Sequence, residues 1–288
     1  MGRWVIGLTA AAALVAASSA SPQIVVAQTV FHTADLPSNA VTGFNVTCPP
    51  GYVAVSGGIS TAAPGVTTLS IRSIGIRTYA FRFGNPVTNP HQRVTVAVAC
   101  RRIRVGAGTS PYLKLKPLKL KPFKIGPSSQ KAASLSCPSD TVPAGTGFEL
   151  DPARSKALGR FSGTTLSIRR QTQTLRGVAF RVRNTGPRAR PVALYVSCLT
   201  VVRPPGASSE RLLVKIFTDA TPIHAGSQVV KHSCPRGWTA LATGFALPSA
   251  LALDGSAAIA GTGRWSLTNR GDSTSVADLQ LLCGRLSS

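Results

Sequence analysis

Acidic residues are scarce in this sequence. Nine Asp and Glu stand against 32 Lys and Arg in 288 residues, which gives a formal net charge of +23. Because general acid–base catalysis usually depends on positioned carboxylates, the chain has little material for an active site of that kind. A surface this positive instead attracts polyanions through its long-range potential, in contacts that weaken as salt rises.

Several motifs that carry chemistry are also missing. The sequence has no glycine-rich loop that could cradle a phosphate, no nucleophile elbow around a serine, and no paired CxxC spacing that points to zinc. Glu149 and Asp151 would share one strand face and form the best acid–base pair, but such a pair is more often a solvated edge. The sequence therefore predicts no catalytic residue, no bound metal and no cofactor.

Only the N-terminus carries a long apolar stretch. Arg3 precedes apolar residues 4–17 and then small residues, which is the layout of a secretory signal peptide. We expect a signal peptide over residues 1–28, with cleavage after Ala20 or Ala27; a retained anchor is the alternative, since about twenty apolar residues are needed to span a bilayer. The predicted location is extracellular or associated with the cell envelope.

All six cysteines belong to one pattern that occurs three times. Each opening cysteine is followed directly by proline, and a glycine lies ten residues beyond it, at Gly58, Gly147 and Gly244. An aromatic residue and an asparagine recur later, and then a closing cysteine. Six cysteines allow fifteen pairings, and repeat symmetry favours one of them. The expected disulfides are Cys48 with Cys100, Cys137 with Cys198, and Cys234 with Cys283.

Inside each copy, apolar and polar residues alternate with the period of two that is typical of half-buried strands. Val94, Val96 and Val98 share one face with the closing Cys100, and the other copies repeat this arrangement. The sequence predicts an all-β protein of three tandem, disulfide-framed antiparallel modules at 29–111, 112–203 and 204–288. The modules could be separate sandwiches or could pack around one axis as a pseudo-threefold β-prism.

The motif C-P-x-G at Cys48 and Cys234, followed by glycine, an aromatic residue, Asn and a V-x-V-x-C strand, resembles modules of secreted actinobacterial proteins whose function is uncharacterised. The stretch from Cys234 to Leu247 has a weaker similarity to vitelline membrane outer layer protein I, a threefold β-prism. The second copy departs from the motif because Asp140 replaces the glycine. These motifs are structural, so the resemblance implies a fold and no activity.

Positive charge is concentrated in the middle module, which has seventeen Lys and Arg against three Asp and Glu. LKLKP occurs twice in succession at the start of segment 113–125. A five-residue unit changes faces in a strand, so two short edge segments or a proline-broken linker fit better than one continuous strand. Arg181 and Arg183 are predicted to share an outward face. The candidate polyanion-binding residues are Lys114, Lys116, Lys119, Lys121, Lys124, Arg181, Arg183, Arg188 and Arg190.

The expected partner is an anionic polymer or acidic surface, such as cell wall, acidic lipid headgroups or extracellular nucleic acid. Sequence-specific nucleic-acid recognition is not expected, because no recognition motif is present. Arg270, Gly271 and Asp272 resemble the integrin-binding tripeptide, but we favour an ordinary exposed turn. The sequence thus predicts a secreted, non-enzymatic binding protein. The alternatives are a structural coat or adhesion protein, a hydrolase with an unrecognised site, and charge that serves solubility alone.

Overall fold

The computed structural model describes residues 25–63, 65–86, 88, 90–103, 111–151, 166–205 and 211–287, so most of the expected signal peptide lies outside the described residues. The described chain consists of strands, turns and loops, as the sequence predicts, and every strand pair is antiparallel. No helix in this part of the chain is long and apolar enough to cross a membrane. The strands are β1 (Val25–Leu36), β2 (Ala40–Thr47), β3 (Val53–Ala62), β4 (Thr67–Ser73), β5 (Thr78–Asn85), β6 (Gln92–Ile103), β7 (Tyr112–Lys119), β8 (Phe123–Ile125), β9 (Gln130–Ser136), β10 (Val142–Leu150), β11 (Leu166–Gln173), β12 (Gly177–Asn184), β13 (Arg190–Val202), β14 (Leu212–Ile223), β15 (Gly226–Ser233), β16 (Thr239–Ala246), β17 (Leu251–Ile259), β18 (Thr262–Asn269) and β19 (Ser275–Leu286).

The three modules have the same internal pairing. In the first module, β6 lies between β1 and β3, and β5 lies between β2 and β4. The third module repeats this order. The second module repeats it with one change: two strands, β7 and β8, together take the place of β1 and pair with β13. The sequence repeat is therefore a repeat of six strand positions.

Neighbouring modules share sheets. β10 of the second module pairs with β4 of the first, and β16 of the third module pairs with β11 of the second. The resulting strand orders, β2-β5-β4-β10-β13-β7 and β14-β19-β16-β11-β12-β9, are equivalent when the second is read backwards. The remaining strands form two three-stranded sheets, β15-β18-β17 and β3-β6-β1. If β17 paired with β3, the combined order β15-β18-β17-β3-β6-β1 would be equivalent to the other two.

β17 and β3 do lie against each other, and glycines show how closely. A Cβ added to Gly58 would lie 2.0 Å from the Ser256 carbonyl oxygen, and one added to Gly255 would lie 2.7 Å from the Ile59 carbonyl oxygen. The equivalent Gly147 and Gly244 meet the carbonyl oxygens of the neighbouring module in the same way. The glycine that recurs ten residues after each opening cysteine therefore allows two modules to approach. Of the two arrangements that the sequence left open, the modules adopt the closed, pseudo-threefold one.

The closing strands are buried as their alternation predicts. Val94, Val96, Val98 and Cys100 are fully buried in the core of the first module, and the second module has an equivalent core. A third, larger cluster joins residues of all three modules, including Val55, Ala144 and Leu241. The disulfides are Cys48–Cys100, Cys137–Cys198 and Cys234–Cys283, the pairs expected from repeat symmetry.

The C-P-x-G motif forms a tight turn. The amide of Tyr52 donates to the Pro49 carbonyl, and that of Trp238 to the Pro235 carbonyl, while Gly51 and Gly237 both adopt a φ of +80°. Glycine suits this position because L side chains disfavour positive φ. In the second module the Thr141 amide closes the turn onto Pro138, and Asp140 is not among the positive-φ residues. The departure from the motif therefore reflects a different turn type.

The recurrent asparagines fasten turns at the opposite end of each module. Asn85, Asn184 and Asn269 are almost completely buried. The side-chain amide of Asn269 donates to the carbonyls of Ile223 and Ser273 at 2.9 and 2.8 Å, and its oxygen accepts from the Gly271 amide at 3.0 Å. We call this the asparagine-turn end, and the end with the C-P-x-G turns the cysteine–proline end.

One buried arginine lies where the first and third modules meet. Arg101 is fully buried, and its guanidinium donates to the carbonyls of Cys100 and Gln28 in its own module and of Ala240 and Ala260 in the third. Burial lowers the pKa of Arg101 to about 9. The equivalent positions after the closing cysteines are Leu199 and Gly284, so this clasp belongs to the closing junction alone.

The segment that the sequence assigns to a signal peptide overlaps β1. The side chain of Val25, the first residue of β1, is buried, and its backbone lies opposite Ile103. Residues 25–28 of the expected signal peptide are therefore part of a paired strand. Cleavage after Ala27 would remove three paired residues, whereas cleavage after Ala20 would leave β1 intact.

Candidate anion-binding groove

The LKLKP segment forms edge strands. β7 and β8 both pair with β13 at the edge of a sheet, so the edge segments expected from the sequence are present rather than a free linker. The first of them nevertheless runs through Pro117 into the second LKLKP copy. The five lysines of the segment, Lys114, Lys116, Lys119, Lys121 and Lys124, are exposed.

The change of face within this segment has a structural use. Leu115 lies opposite Leu199 and contributes to the central cluster, whereas Leu118 lies opposite Val196 and packs against the core of the second module. Leu199 and Val196 point to opposite faces of β13 because they are three residues apart. The repeated pentapeptide thus places leucines on two cores and leaves the lysines in solvent.

Arg181 and Arg183 lie on β12, in a different sheet from the lysines, and both are exposed as predicted. Arg181 is directly opposite Arg170 of β11. Like charges directly opposite each other across two strands are destabilising. With Arg169, these arginines line a groove of about 430 Å³ between the second and third modules. We call it the arginine groove.

The far wall of the arginine groove comes from the third module. Ala246, Leu247, Pro248 and Ser249 form one side, and Val276 and Asp278 lie beyond them. Asp278 is the single carboxylate among these lining residues, against four guanidinium groups. Gln130 of β9 completes the lining at the edge of the sheet.

Arg169 fixes this wall. Its guanidinium donates to the Leu251 carbonyl at 3.0 Å and also to the carbonyls of Leu247 and Pro248, which form the turn between β16 and β17. Partial burial lowers the pKa of Arg169, and the positive charges of Arg183 and Arg270 lower it further. The lining itself shows the excess of positive charge, because four guanidinium groups share it with the single carboxylate of Asp278.

Arg270 connects the RGD sequence to this cluster. Its backbone amide donates to the Ala250 carbonyl at 3.0 Å, so the turn rests on the same β16–β17 connection that Arg169 holds. Arg270 and Asp272 are exposed, as the sequence predicts for a turn. The Asn269 side chain shapes this turn in the same way that Asn184 shapes its counterpart. The tripeptide is thus part of a repeated structural turn.

The other two predicted arginines lie outside the groove. Arg190 forms an ion pair with Asp151, with 3.1 Å between its Nη1 and the carboxylate Oδ2, and both side chains are mostly buried. Arg188 is exposed in the turn after β12, and its carbonyl accepts from Asn184. The structure therefore divides the nine predicted cations among an edge strand, a groove, a turn and an ion pair.

Glu149 and Asp151, the best acid–base candidates in the sequence, are buried instead of lying at the solvated edge that we favoured, and they have separate partners. The Tyr195 hydroxyl donates to the Glu149 carboxylate at 3.1 Å, and burial together with Glu149 raises the pKa of Tyr195 to about 12. Among the histidines, His232 is half-buried beside Trp265 and lies 3.4 Å from the Asp219 carboxylate. In the described part of the chain, no three His, Cys, Asp or Glu residues lie together as a metal site would require.

Sequence reasoning selected Arg181 and Arg183 but missed the residues that complete the groove. Arg169 and Arg170 were visible as charge, yet nothing in their local pattern showed that β11 would pair with β16. The recurrent glycine was the available signal, because Gly244 marks the strand that meets the preceding module. No known protein family matches this chain, and no curated protein is significantly similar to it in sequence.

Proposed function

We propose that this is a secreted, non-enzymatic protein that binds an anionic envelope or extracellular polymer, mainly through its middle module. The observation that supports this proposal best is the arginine groove, in which Arg170 and Arg181 lie opposite each other. Partial burial lowers the pKa of Arg169 in this groove, and the charges of Arg183 and Arg270 lower it further. A bound anion would relieve the repulsion among these groups. Guanidinium groups suit this role because they bind phosphate, sulfate or carboxylate through two parallel hydrogen bonds.

The edge lysines support a polymer rather than a small anion. Lys119 lies opposite Tyr195 of β13, and its ammonium nitrogen is 5.6 Å from the centre of the Tyr195 ring. Lys114 lies opposite Thr200 further along the same edge. Such a row of exposed cations adds long-range attraction along an extended chain. Three disulfides are typical of extracellular proteins, which supports the proposed location.

The test measures binding of the purified chain to polyphosphate, a sulfated glycan, single-stranded DNA and neutral dextran over a salt series. We expect Arg181→Gln with Arg183→Gln to weaken binding of the anionic polymers, and to reduce the salt slope for DNA by roughly 0.7 for each lost phosphate contact. The matched control is Lys215→Gln with Lys231→Gln, which removes two exposed charges of the third module that do not line the groove.

Equal losses in the two double variants would overturn the proposal, because binding would then follow net charge and not the groove. A third variant, with the five lysines from Lys114 to Lys124 changed to Gln, measures what the edge adds. Self-assembly that persists at high salt, without polymer binding, would favour a structural coat protein. Polymer cleavage that stops on Glu149→Gln would favour a hydrolase.

A further inference from the structure

The cysteine–proline end exposes apolar side chains. Eight large apolar residues are exposed among those that the structure describes. Register places five at this end: Ile74, Ile76, Tyr112, Leu175 and Leu213. The other three, Phe31, Val229 and Val276, lie on the side walls or at the other end.

Three of the five occupy hairpin turns. Ile74 and Ile76 flank Gly75 in the β4–β5 turn, with 43% and 55% of their surface exposed, and Leu175 has 56% exposed in the equivalent β11–β12 turn. Tight turns usually carry Gly, Pro, Asn, Asp or Ser. The corresponding turn of the third module has the small residues Ala260 and Gly261, so the repeat itself does not require apolar tips.

Charge at this end is almost entirely positive. Asp140 is the one carboxylate there among the described residues; Glu210 lies outside them, and the other seven lie toward the asparagine-turn end. Exposed arginines lie at the same end as the apolar tips. They are Arg102, Arg176, Arg211, Arg236 and Arg285.

Two aromatic side chains complete this surface. The Arg102 guanidinium lies 4.7 Å from the centre of the Tyr52 ring, and that of Arg285 lies 4.9 Å from the centre of the Trp238 ring. Tyr52 and Trp238 follow the two C-P-x-G turns and are half-buried. Tyr and Trp are enriched at membrane–water interfaces, where one part of the ring is apolar and the other remains wet.

From these features together we infer that the cysteine–proline end docks on the surface of an anionic lipid bilayer. The protruding tips of Ile74, Ile76 and Leu175 enter the headgroup region, and the arginines contact lipid phosphates. Apolar burial and attraction to an anionic leaflet reinforce each other in such contacts. This site is separate from the arginine groove and does not depend on the proposed polymer binding.

The experiment is flotation with vesicles of phosphatidylcholine alone and of phosphatidylcholine with phosphatidylglycerol. We expect binding only to the anionic vesicles, and at least a tenfold weaker partition for Ile76→Ser with Leu175→Ser. The matched control is Phe31→Ser with Val229→Ser, which removes two equally exposed apolar side chains from the side walls. In a chain that begins at Ser21 and so lacks Trp4, Trp238 is an intrinsic probe, because Trp265 is fully buried and should not respond.

Retained binding in the control, with a blue shift of tryptophan emission that disappears in the Ile76/Leu175 variant, would support docking by this end. Equal binding of both double variants would overturn the inference, since adsorption would then be purely electrostatic. Absence of vesicle binding would also overturn it. A dimer in solution that the Ile76/Leu175 variant abolishes would assign the apolar tips to a second copy of the chain. Arg181→Gln with Arg183→Gln should leave vesicle binding unchanged, which separates the two proposals.

Discussion

The two ends of the molecule are made from the same three repeats but are held together differently. At the asparagine-turn end, buried side chains such as Asn85 and Asn269 fasten the turns. At the cysteine–proline end, tight backbone turns and disulfides do so, together with side chains that differ from module to module. The Arg77 guanidinium donates to the Cys48 carbonyl in the first module, and the Thr174 hydroxyl donates to the Gly177 carbonyl in the second. The repeat therefore keeps one side chain constant at the first end and allows the side chains at the other to vary.

Charge follows the same division. The asparagine-turn half holds most of the carboxylates together with the arginine groove, so attraction and repulsion are mixed there. The cysteine–proline end is nearly free of carboxylates in the part of the chain described here. A mixed surface can select a ligand by geometry, whereas a uniformly positive apolar end suits a broad anionic surface.

The largest effect should come from breaking an asparagine turn. Asn269→Ala removes two donated hydrogen bonds and one accepted, and leaves the buried carbonyl of Ile223 without its side-chain partner. We expect a loss of about 3 kcal/mol in the free energy of unfolding, measured by urea denaturation. Asn45→Ala is the control, since Asn45 is exposed on β2. A loss as large in the control would contradict the role assigned to the turns.

At the cysteine–proline end the corresponding buried polar group is Tyr79, whose hydroxyl donates to the Val55 carbonyl at 3.4 Å. Burial raises the pKa of Tyr79 to about 12. Above pH 10 the unfolded chain loses the phenol proton while the folded chain keeps it, so stability falls as pH rises from 10 to 12. Wild type should lose about 2 kcal/mol more than Tyr79→Phe between pH 9 and pH 11.5.

Denaturation at pH 9 and pH 11.5 measures this difference. Burial also lowers the pKa of Arg101, which adds a second contribution to the pH dependence. That contribution is common to both proteins and cancels in their difference. Parallel pH profiles for wild type and Tyr79→Phe would show that the phenol is not protected by burial.

A smaller effect is expected from shortening β1 at the same end. A chain that begins at Gln28 lacks Val25, which is buried, and three positions paired with β6. Burial of one valine contributes about 2 kcal/mol, so this chain should melt a few degrees below one that begins at Ser21. Equal melting temperatures would mean that the first three residues of β1 add nothing, and would leave Ala27 as acceptable a cleavage position as Ala20.

The smallest expected effect is a change in stability that tests the repulsion between arginines in the arginine groove. Arg170→Gln removes one member of the facing pair in the arginine groove and should raise stability by about 0.5 kcal/mol at low salt. The gain should vanish at high salt or when a polyanion is bound. Arg176→Gln, at the cysteine–proline end, should show no such dependence on salt. A gain that is unchanged by salt would indicate relief of strain instead of repulsion.

The strand content of each module was predictable because alternation is a local property. The burial of Val94, Val96 and Val98 follows from it, as does the exposure of Arg181 and Arg183. The disulfide pairs required only repeat symmetry in addition. Closure around an axis was not predictable in this way, since β10 meets β4 and β16 meets β11 through contacts that no local periodicity encodes.

The arginine groove shows the same limit from the side of function. Arg169 reaches Leu251, 82 residues away, across a junction between modules. The lysine segment could be read as a sheet edge because its five-residue period does not fit one continuous strand. The sequence did not show that this period places leucines in two different cores. The charged residues can be counted from the sequence, but their grouping into separate surfaces depends on the fold.

Closure of the ring has a consequence for the order of folding. Each disulfide joins cysteines only 49 to 61 residues apart, so a module can oxidise as soon as its own strands have emerged. The clasp at Arg101 must wait for Ala240 and Ala260, which lie 139 and 159 residues later, and Thr29 meets the Ala260 amide across 231 residues. Contacts this distant in sequence form slowly. During folding, the first module would therefore carry its disulfide while the surface that contacts the third module was still exposed.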